Sequence, residues 1–197
     1  MIYTYTIDGL LLQSGDLICT SDGGQAVVAG EFWRMLGKLL PGEVDHIVIY
    51  VGPDGRCVEA GPKGVHAFEV EGNTWDGDKM IGQRLFTDML YGAAYPLEGR
   101  GLSEPAERDI REDVAAYCLA QAEARKPYNL NFLDSRTEHA FYCSQLAYMA
   151  YLRHGINLNT ERDIPSIPGT ASIIFPQEVW ASVPHIVRPG KSSTISP

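Results

Sequence analysis

The strongest secondary-structure signal is HIVIYVGPDGRCVEA, residues 46–60. Two runs of β-favouring residues flank a Gly-Pro-Asp-Gly turn, which predicts a β-hairpin. If Val51 pairs with Arg56, the alternation along each strand puts His46 and Glu59 on the same face. Glu59 then lies diagonal to His46, within reach of long side chains. A shift of one residue would separate the two side chains, so their pairing depends on the turn.

Further strands and helices are predicted on both sides of this hairpin. Strands are expected at residues 2–7, 17–20, 65–70, 80–86 and 183–187, with a loop at residues 91–101. Helices are expected at residues 25–40, from a cap at Ser103 to about residue 125, and from Pro176. This α+β pattern predicts one domain over residues 1–188, with a central antiparallel sheet of about five or six strands, and a flexible tail at 189–197.

A cysteine lies at the start of one more predicted helix, in the segment Phe141-Tyr142-Cys143-Ser144-Gln145-Leu146. Apolar side chains recur on one face, and Gly155 follows a basic last turn, which favours a helix ending near Arg153 and packed on the sheet. A thiol at a helix N-terminus lies near free backbone N–H groups and the positive end of the dipole, and both favour thiolate. Cys143 is therefore a candidate nucleophile. The alternative is a small apolar core residue, as many free cysteines are.

A thiolate nucleophile needs a base, and the chain offers five histidines. His46 is the best placed, because it lies on a rigid strand with Glu59 available to orient its ring. His66, on a neighbouring strand, is the reserve candidate. The others lie on distant or flexible segments: His139, His154 and His185. From the residues alone, His46 could equally be a strand-end imidazole bonded to backbone, and Glu59 a solvent-facing carboxylate.

Composition argues against several function classes. A formal charge of −9 disfavours binding to nucleic acid or to anionic lipid. No apolar run approaches the ~20 residues of a membrane span, and the first residues lack a secretory signal, so we expect a cytoplasmic protein. The four cysteines are scattered, which fits reduced thiols. Neither metal-ligand spacings nor phosphate-binding glycine loops occur, so we expect no metal and no cofactor.

Four short segments, in this order, resemble the NlpC-type papain-like peptidase superfamily. They are Leu12 to Ile18 with its Gly15-Asp16, Asp45 to Gly52, Val58-Glu59-Ala60, and Tyr142 to Leu146. The helix with the cysteine follows the histidine strand, as in the circularly permuted branch of YiiX-like and YaeF-like bacterial proteins and lecithin:retinol acyltransferases. The resemblance spans roughly residues 12–180 and implies a permuted papain-like fold.

The resemblance also implies roles for single residues. Cys143 matches the nucleophile, His46 the general base and Glu59 the residue that orients the imidazole. Tyr128 is similar to a tyrosine that precedes the cysteine helix and lies near the substrate in the peptidases. The residues flanking Cys143 differ from the family's usual Asp-Cys-Ser-Gly, which puts the usual substrate in question.

Three functions follow from this resemblance. The first is a cysteine peptidase or amidase acting on small peptides, for which the resemblance suggests bacterial cell-wall fragments. Lys63 and Arg136, together with Glu59, would suit the charged ends of such peptides. The second is an acyltransferase or lipid-ester hydrolase, which predicts an apolar groove near Cys143. The third is a binding module without activity.

Overall fold

The structure, a computed structural model, describes residues 1–21, 41–166 and 168–190. Its strands are β1 Thr4–Ile7, β2 Leu10–Gln13, β3 Leu17–Ser21, β4 His46–Tyr50, β5 Arg56–Gly61, β6 Gly64–Glu69, β7 Met89–Ala94 and β8 His185–Val187. The α-helices of the described ranges are α1 Gly77–Arg84, α2 Glu104–Glu123, α3 Cys143–Leu152 and α4 Pro176–Ser182. Strands β3 to β8 form one antiparallel sheet in the order β6-β5-β4-β3-β7-β8. The predicted α+β class and antiparallel sheet of about five or six strands are confirmed, and the sheet has six.

The β4–β5 hairpin has the predicted register. Ile49 faces Val58 and Tyr50 faces Cys57, as the pairing of Val51 with Arg56 requires. A short 3-10 turn at Pro53–Gly55 makes the reversal, and Val51 N–H donates to the Arg56 carbonyl at 2.9 Å. Because side chains alternate along a strand, this register directs His46 and Glu59 to one face.

The sheet is covered on both faces, which explains why every residue of β4 is buried. Ile47 and Ile49 belong to the cluster that packs against the helical side, where α2 and α3 lie. Val48 and Tyr50 point the other way, into a second cluster that includes Met80 of α1 and residues of the β1–β2 hairpin. The sheet is therefore the central layer between two hydrophobic cores.

Two secondary-structure predictions were wrong. Residues 80–86 do not form a strand, because α1 occupies Gly77–Arg84. Asp76 caps this helix by accepting the Lys79 N–H at 3.2 Å, and Leu85 ends it with φ of 69°. Residues 91–101 are not all loop, because β7 runs over Met89–Ala94 between β3 and β8. Pairing with two strands that are distant in sequence outweighs the low strand propensity of the glycine and alanines in β7.

Other predictions have mixed outcomes. The helix capped by Ser103, the cysteine helix and the helix from Pro176 are confirmed as α2, α3 and α4. The predicted helix at residues 25–40 and positions 191–197 of the predicted tail lie outside the described residues. Within the described ranges, no helix is both long enough and apolar enough to cross a membrane.

We expect Gly64→Ala to destabilise the protein by about 2–4 kcal/mol. Gly64 has φ of +78°, and an added Cβ would lie 2.5 Å from the Lys126 carbonyl oxygen, in the segment that leads towards α3. Urea unfolding of the two proteins measures the difference. Gly72→Ala is the matched control, since Gly72 has φ of +67° with nothing within 4 Å of the added carbon. An equal loss of unfolding free energy in both variants would contradict a clash between the added Cβ and the Lys126 carbonyl oxygen.

Candidate active site

Cys143 and His46 meet where an α-helix and a central strand both begin. Cys143 is the first residue of α3, and His46 is the first residue of β4. The thiol lies close enough to the His46 imidazole and to the backbone N–H groups of Ile47 and Ser144 that each of them lowers its pKa. Both side chains are nearly buried, with 5% of Cys143 and 8% of His46 exposed.

This arrangement favours a thiolate–imidazolium pair. Burial alone would raise the pKa of the Cys143 thiol, but His46 and the two backbone donors outweigh burial and lower that pKa. Burial alone would lower the pKa of His46, but the Cys143 sulfur and then Glu59 raise it to about 10. The two pKa values move in opposite directions from their ordinary values, as an ion pair requires.

Glu59 holds the other side of the His46 ring. Its Oε2 lies 2.8 Å from His46 Nε2, which leaves Nδ1 for the thiol. The Glu59 carboxylate is completely buried. Burial alone would raise its pKa, but Arg84, with His46 and His66, holds the pKa of Glu59 well below its usual range. Glu59 therefore stays ionised, and an ionised partner favours protonation of the imidazole.

Arg84 supplies the counter-charge for this carboxylate. Its Nε and Nη2 donate to the two Glu59 oxygens at 3.0 and 2.8 Å. Its Nη1 and Nη2 donate to Asp88 at 2.6 and 2.8 Å. The guanidinium also lies 4.4–4.9 Å from the centres of three aromatic rings, those of Phe68, Trp75 and Phe86. A fully buried arginine is thus paired through every one of its nitrogen atoms.

His66, the reserve candidate for the base, lies on the far side of Glu59. It faces Glu59 across the β5–β6 pair, with Nε2 3.3 Å from Oε1 but outside hydrogen-bonding geometry. Its Nδ1 donates to the Gly64 carbonyl at 3.1 Å. His46 is the imidazole that lowers the pKa of the Cys143 thiol.

The unusual residues beside Cys143 fix the start of its helix. Gln145 is completely buried, and its Oε1 accepts from Tyr142 N–H at 3.2 Å and from the Asn129 side chain at 2.9 Å. The Tyr142 hydroxyl accepts from Ile174 N–H at 3.0 Å, and Ser144 donates to the Ile174 carbonyl at 2.6 Å. These residues hold the approach to α3 from both sides, which gives Tyr142 and Gln145 a structural role beside Cys143.

The three predicted substrate-binding residues have different surroundings. Tyr128 forms an isolated β-bridge with Phe141. Burial raises the pKa of the Tyr128 hydroxyl, and the nearby Cys143 sulfur raises it further. Lys63 donates to the carbonyls of Gly82 and Gln83 at 3.0 and 2.6 Å, so its charge stabilises the C-terminal end of α1. Arg136 is exposed in the segment before α3. A role for any of them in binding substrate stays a prediction.

The remaining cysteines are poor nucleophiles. Cys19, Cys57 and Cys118 are free and buried, and burial raises the pKa of each thiol. Among the described residues, no group of three or more histidine, cysteine, aspartate or glutamate side chains could hold a metal ion. Cys143 is thus the cysteine of this chain whose surroundings favour thiolate.

Comparison with protein-family models, with curated proteins and with solved structures found no match.

Sequence reasoning missed Arg84 and Asp88. Because residues 80–86 were interpreted as a strand, Arg84 had no predicted place near Glu59. The signal available in the sequence was Asp76, a residue type that caps helices. In a helix that starts there, Met80 and Arg84 are one turn apart and share one buried face.

Replacing Glu59 with Gln should destabilise the protein by about 3–5 kcal/mol at pH 7, because Arg84 and His46 lose a buried partner. The pKa of Glu59 is lower in the folded than in the unfolded protein, so the unfolded chain binds more protons in acid. The stability contributed by Glu59 is therefore present above about pH 4.3 and is lost as pH falls below it. Urea unfolding from pH 7 to pH 3 should show that the difference in free energy of unfolding between wild type and Glu59→Gln becomes smaller.

Glu69→Gln serves as the control for this series, since Glu69 is an exposed residue of the neighbouring strand. It should change stability little throughout the series. A gap for Glu59→Gln that stays constant down to pH 3 would contradict a depressed pKa for this carboxylate.

Proposed function

We propose that this protein is a cysteine-dependent hydrolase, a peptidase or amidase that cleaves an amide bond in small peptides. One observation carries the proposal: Cys143, the first residue of a helix, lies beside the imidazole of His46, and a buried carboxylate holds Nε2 of that ring. Nucleophile, base and orienting group are the three parts that covalent acyl transfer needs.

The reaction proceeds through a thioester. The Cys143 thiolate attacks the carbonyl carbon, and the backbone N–H of Cys143 at the start of α3 donates to the developing oxyanion. The tetrahedral intermediate collapses as protonated His46 gives its proton to the leaving amine. A water molecule, deprotonated by His46, then attacks the thioester, releasing the carboxylic acid and restoring the thiol. Glu59 keeps the imidazole ring in position through both steps.

The family resemblance supports the same reaction class. The segments that resemble the permuted NlpC-type peptidases include Cys143, His46 and Glu59, and the permuted papain-like fold is part of this proposal. The substrate class, small peptides such as cell-wall fragments, also comes from the resemblance. Tyr128, near the sulfur, is proposed to contact the substrate.

Hydrolysis or transfer of a lipid ester is a second candidate. Leu130 and Leu133 are 66% and 58% exposed in the segment that leads from Tyr128 to α3. Exposed leucines on this segment would suit an acyl chain better than a peptide. Both candidates share the thioester step and differ in the leaving group.

The Cys143 thiol should react with iodoacetamide with an apparent pKa well below the free value of about 8.5, because His46 stabilises the thiolate. In His46→Ala this advantage should disappear. Peptide mapping after alkylation from pH 5 to pH 9 assigns the rate to Cys143 and separates it from the three other thiols.

His154→Ala is the matched control for this titration. His154 also pairs with a carboxylate, Asp113 at 2.9 Å, but it lies beyond the opposite end of α3 from Cys143. Its removal should leave the titration of Cys143 unchanged. A thiol that titrates near 8.5 in wild type and in both variants would favour the binding module over the enzyme.

Turnover of peptide amides should fall by at least about 10²–10⁴-fold in Cys143→Ala and in His46→Ala, because each removes a group that acts on the reacting atoms. Cys118→Ala, which removes a buried thiol of α2, should retain turnover. Screening small peptides and lipid esters side by side separates the two candidates. Cys143-dependent turnover of the esters alone would replace the amidase by the esterase or acyltransferase.

A further inference from the structure

The contacts around Glu59 continue into a closed ring that returns to His46. Arg84 of α1 links Glu59 to Asp88, which immediately precedes β7. Asp88 Oδ2 accepts from the Thr20 hydroxyl at 2.7 Å. Thr20 of β3 is in turn the backbone partner of His46 in the β3–β4 ladder. Three strands, one helix and the start of a fourth strand are thus joined around one imidazole.

Every polar atom at the centre of this ring is engaged. Asp88 Oδ1 accepts from Trp75 Nε1 at 3.0 Å as well as from Arg84 at 2.6 Å. Arg84 and Glu59 are completely buried, and 5% of Asp88 is exposed. Such a network has few alternative arrangements, because any rotation would leave a buried polar group without a partner.

The balance of charge between Arg84, Glu59 and Asp88 affects how strongly Glu59 stabilises protonated His46. Arg84 shares its single positive charge between two carboxylates, Glu59 and Asp88. If Asp88 were neutral, the whole charge of Arg84 would bear on Glu59, which would then be a weaker partner for protonated His46. Asp88 therefore acts on the imidazole through two intermediates, without contact to either reacting side chain.

We propose that Arg84 and Asp88 are positioning residues for the Cys143–His46 pair: Arg84 fixes the plane of the Glu59 carboxylate, and Asp88 offsets the charge of Arg84. This inference rests on the proposed thiol chemistry and names two further residues on which it depends. The groups that face Glu59 are His46 from β4, His66 from β6 and Arg84 from α1, with Cys57 nearby on its own strand. Of these, Arg84 makes two hydrogen bonds to the carboxylate and so fixes its orientation.

The test is the pH dependence of Cys143 alkylation in Asp88→Asn, with thermal unfolding measured in parallel. The lost charge should move the titration to higher pH by about 0.5–1 unit, which lowers the alkylation rate by about threefold to tenfold at pH values below the wild-type titration. Asp88→Glu keeps the charge and should titrate near wild type, even where its longer side chain costs stability. A purely structural role would move the unfolding temperature and leave the titration in place.

Asp16→Asn is the matched control. Asp16 is also a buried aspartate paired with a buried arginine, Arg111 at 2.8 Å, but it precedes β3 at the end away from Thr20. Thr20 lies four positions further along the strand, about 13 Å away. It should lose stability without any shift in the titration of Cys143.

Arg84→Lys is the second variant and decides the question if Asp88→Asn does not fold. Lysine keeps the positive charge but lacks the planar fork that grips both oxygens of Glu59, so the titration should again move to higher pH. A wild-type thiol with a depressed pKa that neither variant moves would overturn this inference alone. A wild-type thiol that titrates near 8.5 would overturn the proposed function and this inference together.

Discussion

The site depends on a carboxylate that is completely removed from water. Ionised Glu59 could not be kept inside the protein without compensation, because burying an unpaired charge costs several kcal/mol. The structure supplies that compensation from two sides, with His46 at 2.8 Å on one oxygen and Arg84 on both. The His46 ring and the segment that carries Arg84 are therefore held in place by the same carboxylate.

This requirement explains the layer on the face of the sheet opposite α3. Helix α1 carries Arg84, and the short link to β7 carries Asp88 four residues later. Phe68, Trp75 and Phe86 surround the guanidinium, so the charge is enclosed by ring faces and carboxylates in place of water. This layer does more than bury the hydrophobic core, because its Arg84 neutralises the charge of Glu59 in the candidate active site.

The other half of the site depends on backbone geometry. The backbone N–H groups of Ile47 in β4 and of Ser144 in the helix itself lower the pKa of Cys143, so strand and helix both stabilise the thiolate. Gln145 and Tyr142 fix this helix start to the preceding segment and to Ile174. Tyr142 and Gln145 beside Cys143 thus have a role in packing and hydrogen bonding at the start of α3.

The sequence by itself determined the β4–β5 register and the start of α3, because a tight turn and a helix N-terminus are local features. From these, the approach of His46 to Glu59 and the position of Cys143 could be predicted. The sequence did not determine α1, since the apolar residues between 80 and 86 suit a strand as well as a helix. Only the tertiary structure decided that α1 would bring Arg84 to Glu59, and that β7 would form between β3 and β8. Both depend on contacts between residues far apart in the chain, and the energy of burying and pairing those groups outweighs local propensity.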